Sequence, residues 1–167
     1  MSQEIFKTEI QDFYGRRTTF AELGLKIKRK LANEAKDDIY DVLVTGANNI
    51  RNRMIRSMVN SPKTGKLYHR GKNSKGKEVY HRASSPGNPP RPDNSDLIRS
   101  IQMDARYDEV EVGSTITQPN YPWFLEKGTP KMKARPWCEP AFKAYEPDIK
   151  RNLMGALRAA AGRLGAK

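Results

Sequence analysis

The chain has 167 residues, of which 37% are apolar and 30% charged, and its 31 Lys and Arg against 19 Asp and Glu leave a formal net charge of +12. That length argues for one domain over 1–167, with a core large enough to need no disulfide or metal staple. A single cysteine excludes an internal disulfide and a Cys-rich zinc site, no apolar run approaches the roughly 20 residues of a membrane span, and the N-terminal Met-Ser-Gln-Glu-Ile-Phe-Lys has no secretion-signal core.

Residues 1–18 are mixed and polar and read as an arm, or a short element that orders on a partner. Residues 19–59 carry the clearest periodicity. Phe20, Leu23, Ile27, Leu31, Ala35, Ile39, Leu43, Ala47, Ile50, Met54 and Met58 recur at steps of three and four, which is one apolar stripe on a helix. Thr18 or Thr19 is placed to cap it, with Glu22 as a capping-box partner. Gly46 is its weak point, where a kink or break is expected. Unbroken, such a helix runs about 60 Å at 1.5 Å per residue. The carboxylates Glu34, Asp37, Asp38 and Asp41 cluster along it. They read as a solvated face or one side of an intersubunit salt-bridge set; a metal site is the weaker reading, with no histidine nearby.

Residues 60–95 change character. Two short alternating runs, Lys66-Leu67-Tyr68-His69-Arg70 and Glu78-Val79-Tyr80-His81-Arg82, flank a Gly- and Lys-rich loop and predict a β-hairpin with a flexible basic tip. Tyr68 and Tyr80 fall at like positions of the two runs, as do His69 and His81. Lys66, Arg70, Lys72, Lys75, Lys77 and Arg82, with the two tyrosines, suit either a phosphate backbone or an acidic protein surface. A proline-stiffened strap follows through Pro92. Leu97-Ile98-Arg99-Ser100 reads as a helical turn or a strand lead-in. Ile101, Met103, Ala105 and Tyr107 alternate with polar residues, as do Val110 and Val112, predicting two half-buried strands, the second extending as far as Thr117.

Pro122 and Gly128 bracket a short helix. Residues 138–164 predict a C-terminal helix with Ala141, Phe142, Tyr145, Ile149, Leu153, Leu157 and Leu164 on its apolar side, and Pro147 marks where its first turns could separate. Cys138 reads as a small apolar residue near its start. The expected fold is α+β: a small, mainly antiparallel sheet packed against a long N-terminal helix and a C-terminal helix, with a protruding basic hairpin.

Chemistry is sparse. His69 and His81 are the only histidines, both in the basic hairpin, and no nucleophile elbow, phosphate loop or zinc-ligand spacing accompanies them. The expectation is no enzyme, no cofactor and no metal. The basic balance favours an anionic partner, either DNA or an acidic neighbouring subunit.

Two segments carry a family resemblance. Residues 83–101 read Ala-Ser-Ser-Pro-Gly-Asn-Pro-Pro-Arg-Pro-Asp-Asn-Ser-Asp-Leu-Ile-Arg-Ser-Ile. Residues 121–140 contain Leu125-Glu126-x-Gly128-Thr129-x-Lys131-Met132-x-Ala134-Arg135-Pro136. Together they resemble the tail-completion or neck proteins of long-tailed phages, the relatives of the lambda minor tail protein Z. In that family a Pro-Gly-x-Pro-Pro strap precedes Thr-Gly-x-Leu-x-x-Ser-Ile, followed by a short sheet, a Glu-x-Gly-Thr turn, a Met-x-Ala-x-Pro segment and a C-terminal helix. Here Asn94-Ser95-Asp96 stands where Thr-Gly-x is usual, which keeps the turn-forming character. The resemblance spans about residues 19–155. It implies a virion protein of the head–tail junction without catalytic residues. Its partners would be copies of itself in a ring, the head connector or adaptor, the tail terminator or tail tube, and packaged DNA held non-specifically, with no membrane. Within the second segment, Gly128 is expected to take a positive φ and Glu126 to accept N–H groups of the turn at 128–131. Trp123, Phe124, Met132 and Trp137 are expected to fill the core around that turn, with an apolar patch for a neighbour as the alternative.

Overall fold

The computed structural model describes residues 9–11, 17–106 and 109–165, with side chains of the first helix described from Lys28 onward. The fold is α+β. Strands β1 (Glu9–Gln11) and β2 (Arg17–Thr19) pair antiparallel ahead of helix α1 (Phe20–Val59). Hairpin β3 (Leu67–Lys72) and β4 (Glu78–Arg82) follows, then helix α2 (Asp96–Ser100) and the antiparallel pair β5 (Ile101–Ala105) and β6 (Val110–Ser114). Helices α3 (Tyr121–Lys127) and α4 (Glu139–Gly165) complete the chain. The antiparallel pairing is distributed over separate two-stranded ribbons. No described helix is long and apolar enough to cross a membrane.

By its contacts the chain divides into two compact units, Met1–Tyr40 with Asn152–Lys167, and Asp41–Arg151. In the first, Ala35 of α1 and Ala160 of α4 are closed to solvent. The Arg163 guanidinium donates to Glu34 Oε1 at 3.1 Å, to the Glu34 carbonyl at 3.0 Å and to Asp38 Oδ2 at 2.7 Å. Two of the four clustered carboxylates therefore join α1 to α4. Asp38 first, then Glu34, hold the guanidinium above its ordinary pKa. The Thr18, Thr19 and Glu22 cap and the Phe20, Leu23 and Ile27 part of the stripe lie outside the described side chains.

In the second unit, Ile50, Met54 and Met58 of α1 pack with Ile101, Trp137 and Ala141. The stripe read from the sequence thus becomes the core, because steps of three and four return to one helix face. Fully burying a Met or Ile side chain stabilises by about 1.5–3 kcal/mol, so these few residues carry much of the unit. In β5, Ile101, Met103 and Ala105 face inward and Gln102 and Asp104 outward, as the alternation predicts. The predicted extension of β6 to Thr117 stops at Ser114. There the Ser114 hydroxyl meets Ser100 Oγ at 2.8 Å and accepts the Ile116 N–H at 3.2 Å, which turns the chain away.

Neither expected helix interruption occurs. Helix α4 continues through Pro147, and α1 continues through Gly46. Gly46 serves packing instead. A Cβ there would lie 2.6 Å from both Cγ1 and Cδ1 of Ile149, so the missing side chain is what lets α4 approach α1. Phe142, expected on the apolar side of α4, is instead 49% exposed.

Candidate functional site

Glu126 organises the 121–140 segment. It sits one residue before the end of α3 and is buried. Its Oε2 accepts the backbone N–H groups of Trp137 at 2.7 Å and Cys138 at 2.9 Å, and its Oε1 accepts that of Glu139 at 2.9 Å. The last two are orphan donors at the start of α4, where a negative charge also meets the positive end of the helix. Glu126 therefore caps the following helix from 11 to 13 residues away. This corrects the expectation that it would serve the turn at 128–131.

That turn closes on itself. Thr129 N–H donates to the Met132 carbonyl at 2.7 Å, and Met132 N–H returns a bond to Thr129 at 3.1 Å. The Thr129 hydroxyl accepts the Lys131 N–H at 3.3 Å. Gly128 has φ 79 and ψ 179, the positive φ expected of it. Leu125 is half-buried against the core, and its carbonyl accepts the Arg135 N–H at 2.7 Å.

The strap is laced to this segment. Gly87 N–H donates to the Ala134 carbonyl at 2.9 Å, and Arg135 Nε donates to the Ser84 carbonyl at 3.2 Å. Ser61 Oγ donates to the Pro89 carbonyl at 2.5 Å, and Arg91 Nη1 to the Ser61 carbonyl at 2.8 Å. The two segments that carry the resemblance thus form one hydrogen-bonded structure around the end of α1. Pro136, beside the core Trp137, lines a cavity of about 360 Å³ with Arg53, Arg56, Pro89, Pro140 and Tyr145.

The aromatic residues of the segment divide. Trp137 is in the core, its Nε1 donating to the Pro122 carbonyl at 3.3 Å, and Met132 is half-buried. Trp123 and Phe124 are 55% and 45% exposed, contrary to the expected core role. Lys127 Nζ lies 5.6 Å over the Trp123 ring and 3.3 Å from Glu139. Lys143 and Lys127, in that order, hold the Glu139 carboxyl below its ordinary pKa.

Burial, with the neighbouring Glu126 carboxylate second, pushes the Cys138 thiol above its ordinary pKa. Thiolate is the reactive form. At pH 8, iodoacetamide is therefore expected to alkylate Cys138 several-fold more slowly than a free thiol such as glutathione. The rate should climb only at higher pH. A rate equal to glutathione's would contradict the burial.

The hairpin shows a register the sequence did not give. Tyr68 pairs with His81 and His69 with Tyr80, with a shift in register between His69 and Lys72. The two tyrosines therefore lie on opposite faces, as do the two histidines. His69 and Tyr80 share the outer face, their rings 5.2 Å apart, and His69 Nε2 contacts Glu78. On the inner face Arg70 pairs with Asp93 of the strap at 2.5 Å, and His81 Nδ1 lies 3.5 Å from the same carboxylate. The tip is an ordered turn, with Asn73 Oδ1 accepting the N–H groups of Lys75 and Lys77, both at 3.0 Å. The six basic candidates separate accordingly. Arg70 is tied to Asp93, Arg82 donates to the Gly65 carbonyl, Lys72 is 3.5 Å from Glu78, and Lys66 lies over the Tyr68 ring. Lys75 and Lys77 stand at the exposed tip with no ion pair among the described residues.

Between the inner face of the hairpin, the strap and helices α2 and α3 lies a cavity of about 380 Å³. Sequence reading missed it, although the parity of Tyr68 and Arg70 in one strand was a usable signal. Among the described residues no group of three or more His, Cys, Asp or Glu is placed to hold a metal. Comparison of the chain with family models, with curated proteins and with solved structures finds no match.

Proposed function

We propose that the chain is a structural subunit of the head–tail junction of a long-tailed phage virion, a ring-forming or ring-associated neck or tail-completion protein that joins the head connector to the tail. The resemblance of 83–101 and 121–140 to that family is the basis of the reading, and one backbone angle supports it. Ser95 has φ 67 and is the one non-glycine residue with positive φ among those described. It stands at the place where the family pattern carries glycine. The left-handed conformation costs an L side chain roughly 1 kcal/mol that glycine avoids. Ser95→Gly is therefore expected to stabilise the protein by about 0.5–1 kcal/mol in urea unfolding. A destabilisation would remove this support.

The partners in this reading are further copies of the chain, the connector or adaptor on the head side and the terminator or tube on the tail side. Rings use heterologous contacts, one patch meeting a different patch on the next copy. Exposed Trp123, Phe124 and Phe142 supply apolar area for such contacts. The chain should assemble into rings when mixed with the connector and terminator proteins of its phage in the absence of DNA, visible by negative-stain microscopy and mass photometry. A chain that stays monomeric with those neighbours present, and binds DNA tightly, overturns the reading.

The second reading is a DNA-binding accessory protein, favoured by Lys75 and Lys77 at the hairpin tip, which make no ion pair among the described residues. It predicts an affinity that falls steeply with salt, with a shallower slope once Lys72, Lys75 and Lys77 are changed to glutamine.

A further inference from the structure

The cavity under the hairpin has an unbalanced set of polar groups. Three arginines line it, Arg70, Arg91 and Arg135, against two aspartates, Asp93 and Asp96. Asp93 is already engaged by Arg70 at 2.5 Å, with His81 at 3.5 Å. Asp96 is exposed and contacts the Asn94 amide. Arg91 and Arg135 are both half-buried, and neither meets a carboxylate among the described residues. Their partners are neutral. Arg91 Nη1 donates to the Ser61 carbonyl, and Arg135 donates through Nε to the Ser84 carbonyl and through Nη1 to Met132 Sδ at 3.8 Å. A guanidinium carries five N–H donors, so both keep N–H groups to offer.

Ser84, another residue of the lining, whose carbonyl Arg135 contacts, gives an independent indication. It is wholly closed to solvent, and its hydroxyl makes no hydrogen bond among the described residues. Buried hydroxyls are nearly always satisfied, so an orphan is expected to find its acceptor in what the site takes up. Two half-buried cations without a carboxylate partner among the described residues and an unused buried donor, all lining one cavity, define a preference for an anion with several acceptor oxygens, the chemistry that a guanidinium fork matches best.

We propose that this cavity binds a small oxyanion, a carboxylate or a phosphate group, between Arg91 and Arg135, with the lining shifting on binding to uncover the Ser84 hydroxyl as a further donor. A volume of about 380 Å³ is ample for such a group and for the stem of a side chain carrying it. The site is distinct from the hairpin tip, where Lys75 and Lys77 face solvent.

The test uses the full chain, titrated calorimetrically with sodium phosphate and with sodium acetate against sodium chloride of matched ionic strength. Saturable heat from one oxyanion, absent with chloride, is expected. A phosphate response marks a phosphate-type ligand, and an acetate response marks a carboxylate such as an acidic side chain of a neighbouring protein. Ser84→Ala removes a hydroxyl without a partner. It should leave the melting temperature of the free protein unchanged or raised while weakening binding roughly tenfold. Arg91→Gln should abolish saturation, and Lys75→Gln with Lys77→Gln should leave it intact. Absence of saturable binding for both anions overturns the proposal. So does full-strength binding by Ser84→Ala, or binding lost only when the tip lysines are changed. None of these results bears on ring assembly, which is read separately.

Discussion

Glu126→Ala should destabilise the Asp41–Arg151 unit by about 3–5 kcal/mol in urea unfolding, a large part of the 5–15 kcal/mol typical of a domain. The carboxylate receives three backbone N–H bonds of 2.7, 2.9 and 2.9 Å. Bonds to a charged acceptor contribute about 1.5–3 kcal/mol each, and water recovers only some of that at a buried site. Alanine also leaves a void beside Trp137, a core residue. Glu126→Gln keeps one acceptor oxygen but sets an amide N–H₂ against backbone donors, so about half of the loss should remain. Circular dichroism in the near ultraviolet, which reads the packing of Trp137, should fall with it. A loss under about 1 kcal/mol for the alanine variant would show that the start of α4 is satisfied some other way.

Gly128→Ala should cost about 3 kcal/mol, measured by the same unfolding curves. Its φ of 79 with ψ of 179 is a region that only glycine occupies freely, and strain there costs an L residue about 1–3 kcal/mol. Space is lacking as well. A Cβ would lie 2.9 Å from both the Met132 carbonyl oxygen and the Ala134 nitrogen. Both are backbone atoms and cannot rotate away. The turn must shift, and with it the Ala134 carbonyl that receives the Gly87 N–H. Damage at Gly128 should therefore reach the strap and loosen the 83–95 backbone. Hydrogen exchange at Gly87 should rise in the variant; unchanged protection there would separate the turn from the strap.

Both residues are legible as special in the sequence, but for different reasons. Gly128 could be read correctly because a glycine at the end of a short helix has a local cause, a backbone angle, that neighbouring residues announce. Glu126 could be singled out but not explained. Its partners lie 11 to 13 residues ahead, and a side chain's reach across a turn depends on how that turn is closed. Gly46 shows the same limit. As a helix residue it signals weakness, whereas the structure uses it as a gap for Ile149.

The apolar stripe of α1, the alternation of β5 and the existence of the hairpin were determined by the sequence itself. Each follows from a short-range period, 3.6 residues per helical turn or two per strand, which needs no knowledge of the rest of the chain. Which aromatic residues are covered was decided only by the tertiary structure. Trp123, Phe124, Trp137 and Phe142 are all of core type, yet one is buried and three are exposed. Hydrophobicity states the gain available from burial but not which surface is on offer. The hairpin register belongs to the same group, because a one-residue slip exchanges the faces and the pairing is set by the strand partners and the clasp on Asp93. The cavity of Ser84, Arg91 and Arg135 is the furthest case. Its residues are 51 positions apart at their extremes, and no local period relates them. Only the lacing of strap to turn brings two guanidinium groups and an unused hydroxyl to one cavity.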